Sequence, residues 1–426
     1  MLLLRSARVV SPPDQLDAIC DLRVVDGRVA EIGVDLPAGD SKVIDCRGRA
    51  VLPAFVDLVA ELPDPGMSWR EDLRSGSLAA AAGGFATVLV SPVNDPVLDQ
   101  GALAQGLVQR GRGAPGARLL MAGALTMGLD GAELAEIGSL LDEGCVAISD
   151  GGRATKDLSI LRNALEYARP FGAPVLLRPG IPALESRGCM HEGAVSMQIG
   201  LRGIPAASEE VGLAAIIALL RLTGGRVHIS HLSTERSVTL LSQARAEGLS
   251  ITASVAARSL VLTDEQVSLS GYSSATRLLP PLRPESDRRA LCRALADGLL
   301  DCVSSDHQPW TRVEKEVEFE RCEPGAVGFE SAFAATLTAL EGDLPLVARV
   351  LACRPAQILG REVGIRVGAP ADLVVVDPNV QRPVGPPRYS RGVNEPLRGQ
   401  ALRGRVELTI VDGVVRHSLT DRPTTR

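Results

Sequence analysis

The sequence predicts an α/β protein, a closed (β/α)8 barrel of the TIM type that carries a small β-sandwich made from the two chain ends. Three observations predict it. Between residues 51 and 360 short apolar runs alternate with helical stretches, the pattern of a parallel sheet with crossover helices. With a first strand near 52–58 the runs number close to eight, which favours a closed barrel over an open sheet. Both ends of the chain, in contrast, are rich in hairpin signals.

The elements follow in order. Leu2–Val10 is rich in strand-forming residues, and Leu22–Val25 turns through Asp26-Gly27 into Val29–Ile32, since both turn residues tolerate positive φ. The barrel strands are expected at 52–58, Ala86–Val90, Arg118–Ala122, Val146–Ile148, Val175–Leu177, Arg226–Ser230, Ser250–Val255 and Asp301–Ser304. Helices are expected between them at Leu158–Ala168, Glu209–Leu222, Glu235–Glu247 and Asp287–Ala296. The Pro-rich stretch Pro378–Pro387 reads as a linker. Beyond the barrel, Asp372–Asp377 reads as a buried strand, and Val406–Val411 runs through Asp412-Gly413 into Val414-Val415. The domains are therefore expected at 1–50 with 364–426 for the β-sandwich and 51–363 for the barrel.

Composition narrows the function. The chain has 426 residues, 45% hydrophobic and 23% charged, with 3% aromatics, so its core is built from aliphatic side chains. A net charge of −6 predicts neither a nucleic-acid nor an anionic-membrane partner. Eight scattered cysteines with no C-x-x-C spacing predict reduced thiols in a cytoplasmic protein rather than a zinc ribbon or a disulfide framework. No signal peptide is expected, and no apolar run approaches the length of about 20 residues that spans a bilayer.

Several short motifs occur in a fixed order. They are Val51-Leu-Pro-Ala-Phe-Val-Asp-Leu-Val-Ala-Glu-Leu-Pro-Asp-Pro-Gly66, Ala79-Ala-Ala-Ala-Gly-Gly-Phe85, Met190-His-Glu-Gly193, Gly203-Ile-Pro205, Val227-His-Ile-Ser-His231, Leu262-Thr-Asp-Glu265, Pro280-Pro-Leu-Arg283 and Ser305-Asp-His307. In this order and spacing the chain resembles the dihydroorotase branch of the amidohydrolase superfamily over nearly its whole length. That resemblance implies hydrolysis or formation of a cyclic amide, with zinc in the barrel mouth polarising a carbonyl and supplying hydroxide. The first shell it implies is a His-x-His pair, a bridging carboxylate, two later histidines and a final Asp that shuttles protons.

Most of that shell is replaced. The His-x-His positions are Val59 and Glu61, and the first later histidine is Arg178. His231 and Asp306 match, and Asp150 stands for the bridging carboxylate. Only five histidines occur, at 191, 228, 231, 307 and 417. His228 and His231, three apart on one strand, are expected to face opposite sides. The substrate-binding positions that the resemblance implies are Pro63, Val93, Leu279 and Trp310, apolar where a polar substrate needs partners.

No metal cofactor is therefore expected. The residues left to hold one are His231, Asp306, Asp150 and Glu61, and no catalytic residue is expected beyond the remnant Asp306. Arg178 either replaces the metal's charge among Glu61, Asp150 and Asp306 or turns out to solvent, and Arg258 stands as a second cation at the mouth. His191 and His307 are expected to order loops, and Asp64 to sit in a turn.

Within that branch the chain resembles the inactive pseudo-dihydroorotases that accompany aspartate carbamoyltransferase in some bacteria, a likeness also carried by Ala124-Leu-Thr-Met-Gly-Leu-Asp-Gly131 and Tyr389-Ser-Arg-Gly-Val-Asn394. The resemblance implies an oligomeric scaffold subunit of pyrimidine biosynthesis with that transcarbamoylase as partner. Two alternatives stay open: an active cyclic amidohydrolase with an atypical metal site, and a metabolite sensor using the empty barrel mouth.

Overall fold

The computed structural model describes residues 1–186 and 188–419. The N-terminal segment forms β1 (Leu2–Ser11), β2 (Leu16–Val25), β3 (Arg28–Gly33), β4 (Lys42–Asp45) and β5 (Ala50–Pro53). The middle supplies β6 (Phe55–Ala60), β7 (Phe85–Val90), β8 (Arg118–Ala124), β9 (Ala147–Ser149), β10 (Val175–Leu177), a two-stranded ribbon of β11 (Met190–His191) and β12 (Gly203–Ile204), then β13 (Val227–Ile229), β14 (Ile251–Ala256) and β15 (Cys302–Ser304). The C-terminal segment adds β16 (Leu373–Pro383), β17 (Ala401–Val411) and β18 (Val414–Ser418).

The terminal strands build one mixed sheet in the order β18-β17-β16-β5-β1-β2-β3, with β4 on β1. The sheet curls onto itself. Its two Asp-Gly hairpins meet, because a Cβ on Gly413 would lie 2.5 Å from Gly27 Cα. Ala371, whose N–H donates to Gly27 O, accepts from Gly413 N–H. Asp26, Gly27, Asp412 and Gly413 all have positive φ, as a tight hairpin of matching twist requires. Inside the curl Leu4, Val9, Leu22, Val51, Leu373 and Ile410 form a core separate from that of the barrel.

Eight parallel strands form the barrel in the order β6-β7-β8-β9-β10-β13-β14-β15. Alternation along each strand separates two cores. Val88, Leu119, Met121, Ile148, Val175, Val227 and Ile251 face outward onto the helices. Leu58, Leu89, Ala122, Ala147, Leu176 and Cys302 face inward. The first and last strands close the barrel through a parallel bridge between Ala60 and His307 and through the buried Asp57 carboxylate, which accepts from Ser305 N–H at 3.0 Å and from its hydroxyl. Helix Leu158–Ala168 shows why the crossovers form. Asp157 caps it through Ser159 N–H, and Leu161, Ala164, Leu165 and Ala168 bury one face, the i, i+3, i+4, i+7 stripe of an amphipathic helix.

Three expectations shift. The run at 52–58 spans two strands: Ala50–Pro53 pairs with β1 and β16 in the terminal sheet, and the barrel begins at Phe55. The residues on both sides of the change, 51–56, are apolar and hide it, so the expected boundary after residue 50 falls inside a strand. Pro378–Pro387 is no linker, because β16 runs to Pro383 and Val384 bridges Arg398. Pro378 sits where the register with β17 breaks, between Asp377 and Gln381, an irregularity that tolerates proline, and Pro383 is the last residue of the strand, opposite Ala401. The end of the expected 364–426 segment, at 420–426, lies outside the described residues. All eight cysteines are free thiols. Among the described residues no helix is long and apolar enough to cross a membrane.

Candidate functional site

The C-terminal ends of the barrel strands carry the candidate residues, as in other proteins of this architecture. On the side of β6 and β13–β15, His231, Arg258 and Asp306 are buried together. β13 stops at Ile229, and His231 takes a left-handed φ of 58°. Asp306, two residues beyond β15, has a φ of 48°. Each such conformation costs about 1 kcal/mol or more and persists only where its surroundings hold it. The turns bring His231 Nδ1 to 3.5 Å from Asp306 Oδ1. Arg258, in the turn after β14, donates from Nη2 to Asp306 Oδ2 and from Nη1 to Asp306 O at 3.0 Å and Ser305 O at 3.3 Å. Gln308 Nε2 donates to Asp306 Oδ1 at 3.0 Å. Both charged side chains of the Arg258–Asp306 pair are nearly inaccessible, at 4% and 3% exposure.

Burial lowers the His231 pKa, opposed by the Asp306 charge and reinforced by Arg258 and Arg178, so the ring is held neutral. Its Nε2 is buried without a hydrogen-bond partner. His228 does not face the opposite side. Nδ1 lies 2.9 Å from Thr252 Oγ1 and Nε2 lies 3.1 Å from Ser254 Oγ, and the residue pairs across the ladder with inward-facing Leu176. The alternation rule fails here because His231 has already left the strand. Both histidines are inside, at different depths.

Glu61 joins this side through its backbone, whose N–H donates to His307 O at 2.8 Å. Its carboxyl makes no hydrogen bond among the described residues, and burial, then the Asp306 charge, pushes it up to about 7 against Arg70 and Arg153. Val59 packs into the inward-facing core. Pro63 is buried in a turn, accepting Met67 N–H. Val93 packs against the loop at Gly151. Trp310 stacks under Arg70, 3.8 Å from guanidinium carbon to ring centroid, and donates from Nε1 to Pro324 O at 3.1 Å.

On the side of β8–β10 the mouth is open. A cavity of about 630 Å3 takes Asp150, Arg178 and Leu279 from the expected set into its wall. Asp150 accepts Arg178 N–H at 2.8 Å and Gly152 N–H at 2.9 Å. Burial pushes its carboxyl up to about 7, opposed by those N–H groups and the Arg178 charge. The Arg178 guanidinium neither surrounds itself with the three expected carboxylates nor turns out to solvent. Nε donates to Gly152 O at 2.6 Å, and the two Nη atoms grip Glu185 at 2.9 and 2.8 Å. Burial alone would raise the Glu185 carboxyl, and the Arg178 hydrogen bonds and charge more than offset it, so the pKa lies below the usual value. The counter-charge of Asp306 is Arg258 instead.

Glu185, Arg153, Lys156 and Arg277 also line this cavity and were not foreseen. Glu185 stands seven residues from Arg178 on the short helix Pro182–Glu185, a spacing that carries no motif. The loop residues behave closer to expectation. His191 Nδ1 lies 3.0 Å from Arg283 Nη1. His307 accepts Gly328 N–H at 3.3 Å and stacks on Phe329. Asp64 does more than turn the chain, accepting Arg110 Nη2 at 2.7 Å and Leu73 N–H at 3.3 Å.

The zinc that the resemblance implies does not fit these side chains. Structural zinc sites take four protein ligands and catalytic sites three plus water. Among the described residues no three His, Cys, Asp or Glu side chains come together to hold a metal ion. Arg258 occupies one oxygen of Asp306, and a guanidinium repels a second cation placed on the same carboxylate.

Residues 48–237 match the family described as dihydro-orotase-like. A protein named dihydroorotase from Anaeromyxobacter dehalogenans is 41% identical over 424 residues, covering 98% of both chains. Another of that name from Geotalea daltonii is 37% identical over 98% of this chain and 99% of its own. The L-hydantoinase (dihydropyrimidinase) of Arthrobacter aurescens superposes with a TM-score of 0.87 at 21% identity, over 99% of this chain and 97% of its own, which establishes the shared barrel.

Proposed function

This chain belongs to the dihydroorotase family of the amidohydrolase superfamily, and we propose that within it the chain is a non-catalytic subunit of pyrimidine biosynthesis that supports the assembly of aspartate carbamoyltransferase. One observation carries the reading: the buried Arg258–Asp306 ion pair stands where the family places a metal on its proton-shuttling Asp. An ionised carboxylate in such a place needs a counter-charge, and here the chain supplies its own. Valine at 59, proline at 63 and the Arg178–Glu185 clamp add to that support. A family member that has kept its barrel and replaced the reacting centre is suited to holding partners, as an oligomer with the transcarbamoylase.

The relatives' name favours a second reading, an active cyclic amidohydrolase that would have to draw a metal from Glu61, Asp150, His231 and Asp306. The two readings separate in one experiment on protein purified from its native host without chelators. The scaffold reading expects aspartate carbamoyltransferase to co-purify, zinc well below one per chain, and no dihydroorotate hydrolysis. Stoichiometric zinc with turnover establishes the second reading, and failure of the transcarbamoylase to co-purify removes the assigned partner.

A further inference from the structure

The longest helix among the described residues, Ala206–Thr223, crosses over between the ribbon and β13. Glu209 and Glu210 stand near its start and Arg221 near its end, and residues 211–220 between them carry no polar side chain. Leu213, Ile216, Ile217 and Leu220 bury its inner face. The outer face is apolar as well. Ala207, Val211, Ala214, Ala218 and Leu222 lie exposed in one line along the helix, and Val211 and Leu222 are 52% and 64% exposed. A single exposed leucine needs no account. A whole helix face without a polar side chain does, because a helix apolar on every side is ordinarily covered on every side.

The neighbouring helices differ. Leu158–Ala168 and Glu235–Ala246 pack on either side of it. The first shows solvent the Arg162–Glu166 pair, and the second shows Glu235, Arg236 and Gln243. An apolar face inside a charged rim is the anatomy of a protein–protein contact. A helix about 27 Å long, with a neighbour on each side at about 10 Å, presents on the order of 800 Å2, the area that one partner gives to a stable interface.

The charges at the two ends of the helix decide what covers it. Glu210 and Arg221 are eleven residues apart, three turns, so they share one flank. Arg221 also meets Glu247 at 2.7 Å, an exposed pair that holds little free energy. Across a two-fold axis a second copy of the helix runs antiparallel. Ala214 of one copy then meets Ala218 of the other, Val211 comes over Leu222, and Glu210 faces Arg221, each contact made twice. A parallel pair would set Glu210 against Glu210 and Arg221 against Arg221. The small side chains at the centre let the two axes approach to about 8 Å.

We infer that the outer face of Ala206–Thr223 is an interface between two copies of this chain, packed antiparallel about a two-fold axis between Ala214 and Ala218. The inference goes beyond the scaffold reading and holds whether or not the chain catalyses a reaction.

Sedimentation velocity of the full chain, from about 1 to 50 µM, tests it. A dimer with a dissociation constant of about 1 µM or tighter is expected. Ala218→Glu buries a charge beside the axis and is expected to weaken the dimer about a hundredfold or more, with an unchanged circular dichroism spectrum because the position is exposed in the single chain. Glu210→Arg sets arginine against arginine and is expected to weaken it about tenfold, and adding Arg221→Glu is expected to restore it. The inference is overturned if the parent is monomeric at about 50 µM, if Ala218→Glu dimerises like the parent, or if the double exchange recovers nothing that Glu210→Arg lost. A monomeric parent whose Ala218→Glu variant no longer co-purifies with aspartate carbamoyltransferase gives the face to that partner and also overturns it. The scaffold reading itself stands or falls on zinc content, turnover and co-purification of the parent, none of which the sedimentation measurement reads.

Discussion

The two halves of the barrel mouth use their charged side chains in opposite ways. Around β6 and β13–β15, Asp306 is matched by Arg258 and flanked by Gln308 and His231, and the ion pair is sealed from solvent. Around β8–β10, Arg178 is matched by Glu185, while Arg153, Lys156 and Arg277 face an open cavity. Charge that is paired and buried holds structure, and charge lining an open cavity stays in contact with solvent. The half around β6 and β13–β15 is thus tied together by its own side chains, and the adjoining half opens on a cavity.

Substitutions can break this contrast at either side. Arg258→Met leaves the Asp306 carboxylate buried without its partner and is expected to cost about 3–5 kcal/mol, measured by denaturant unfolding. A loss under 1 kcal/mol would show the sealed half to be dispensable. Glu185→Gln removes the negative charge and one of the two acceptor oxygens of a less buried clamp, and a cost of about 2–3 kcal/mol is expected by the same measurement.

Glu61→Gln works through pH. A carboxyl whose folded pKa, about 7, exceeds its unfolded value near 4.5 contributes stability that is full below the unfolded value and is lost as pH rises through the folded one. The variant is therefore expected to match the parent near pH 4.5 and to exceed it by roughly 1–3 kcal/mol at pH 8. Equal stability at both pH values would mean that Glu61 is solvated. On the open side, Lys156→Ala is expected to change stability by no more than about 0.5 kcal/mol, and a larger loss would make that lysine structural.

The barrel was legible because alternation of strand and helix survives substitution of any single residue, and Leu158–Ala168 shows the signal at its clearest. The hairpins at Asp26-Gly27 and Asp412-Gly413 were legible because few residue pairs accept that backbone. The passage from β5 to β6 was not, since residues 51–59 are apolar except for Asp57, which lies within β6 and does not mark the change of sheet. At the site, the sequence pointed to Arg178, Arg258 and Asp306, but not to their pairings. Arg178 with Glu185 and Arg258 with Asp306 depend on loop geometry, in particular on the turned backbone of His231 and Asp306. Spacing carries no information about such turns, and the alternation argument for His228 and His231 failed for the same reason.

The terminal sheet places β5 between β1 and β16, with Pro53 opposite Leu373. A ribosome therefore makes one edge of that sheet early and its other neighbour some 320 residues later. At synthesis rates of about 5–20 residues per second, the N-terminal strands wait on the order of tens of seconds for their last partners. During that interval an apolar face built from Leu4, Val9, Leu22 and Val51 is uncovered, and nascent chains of this protein are a natural client for chaperones that bind exposed strands.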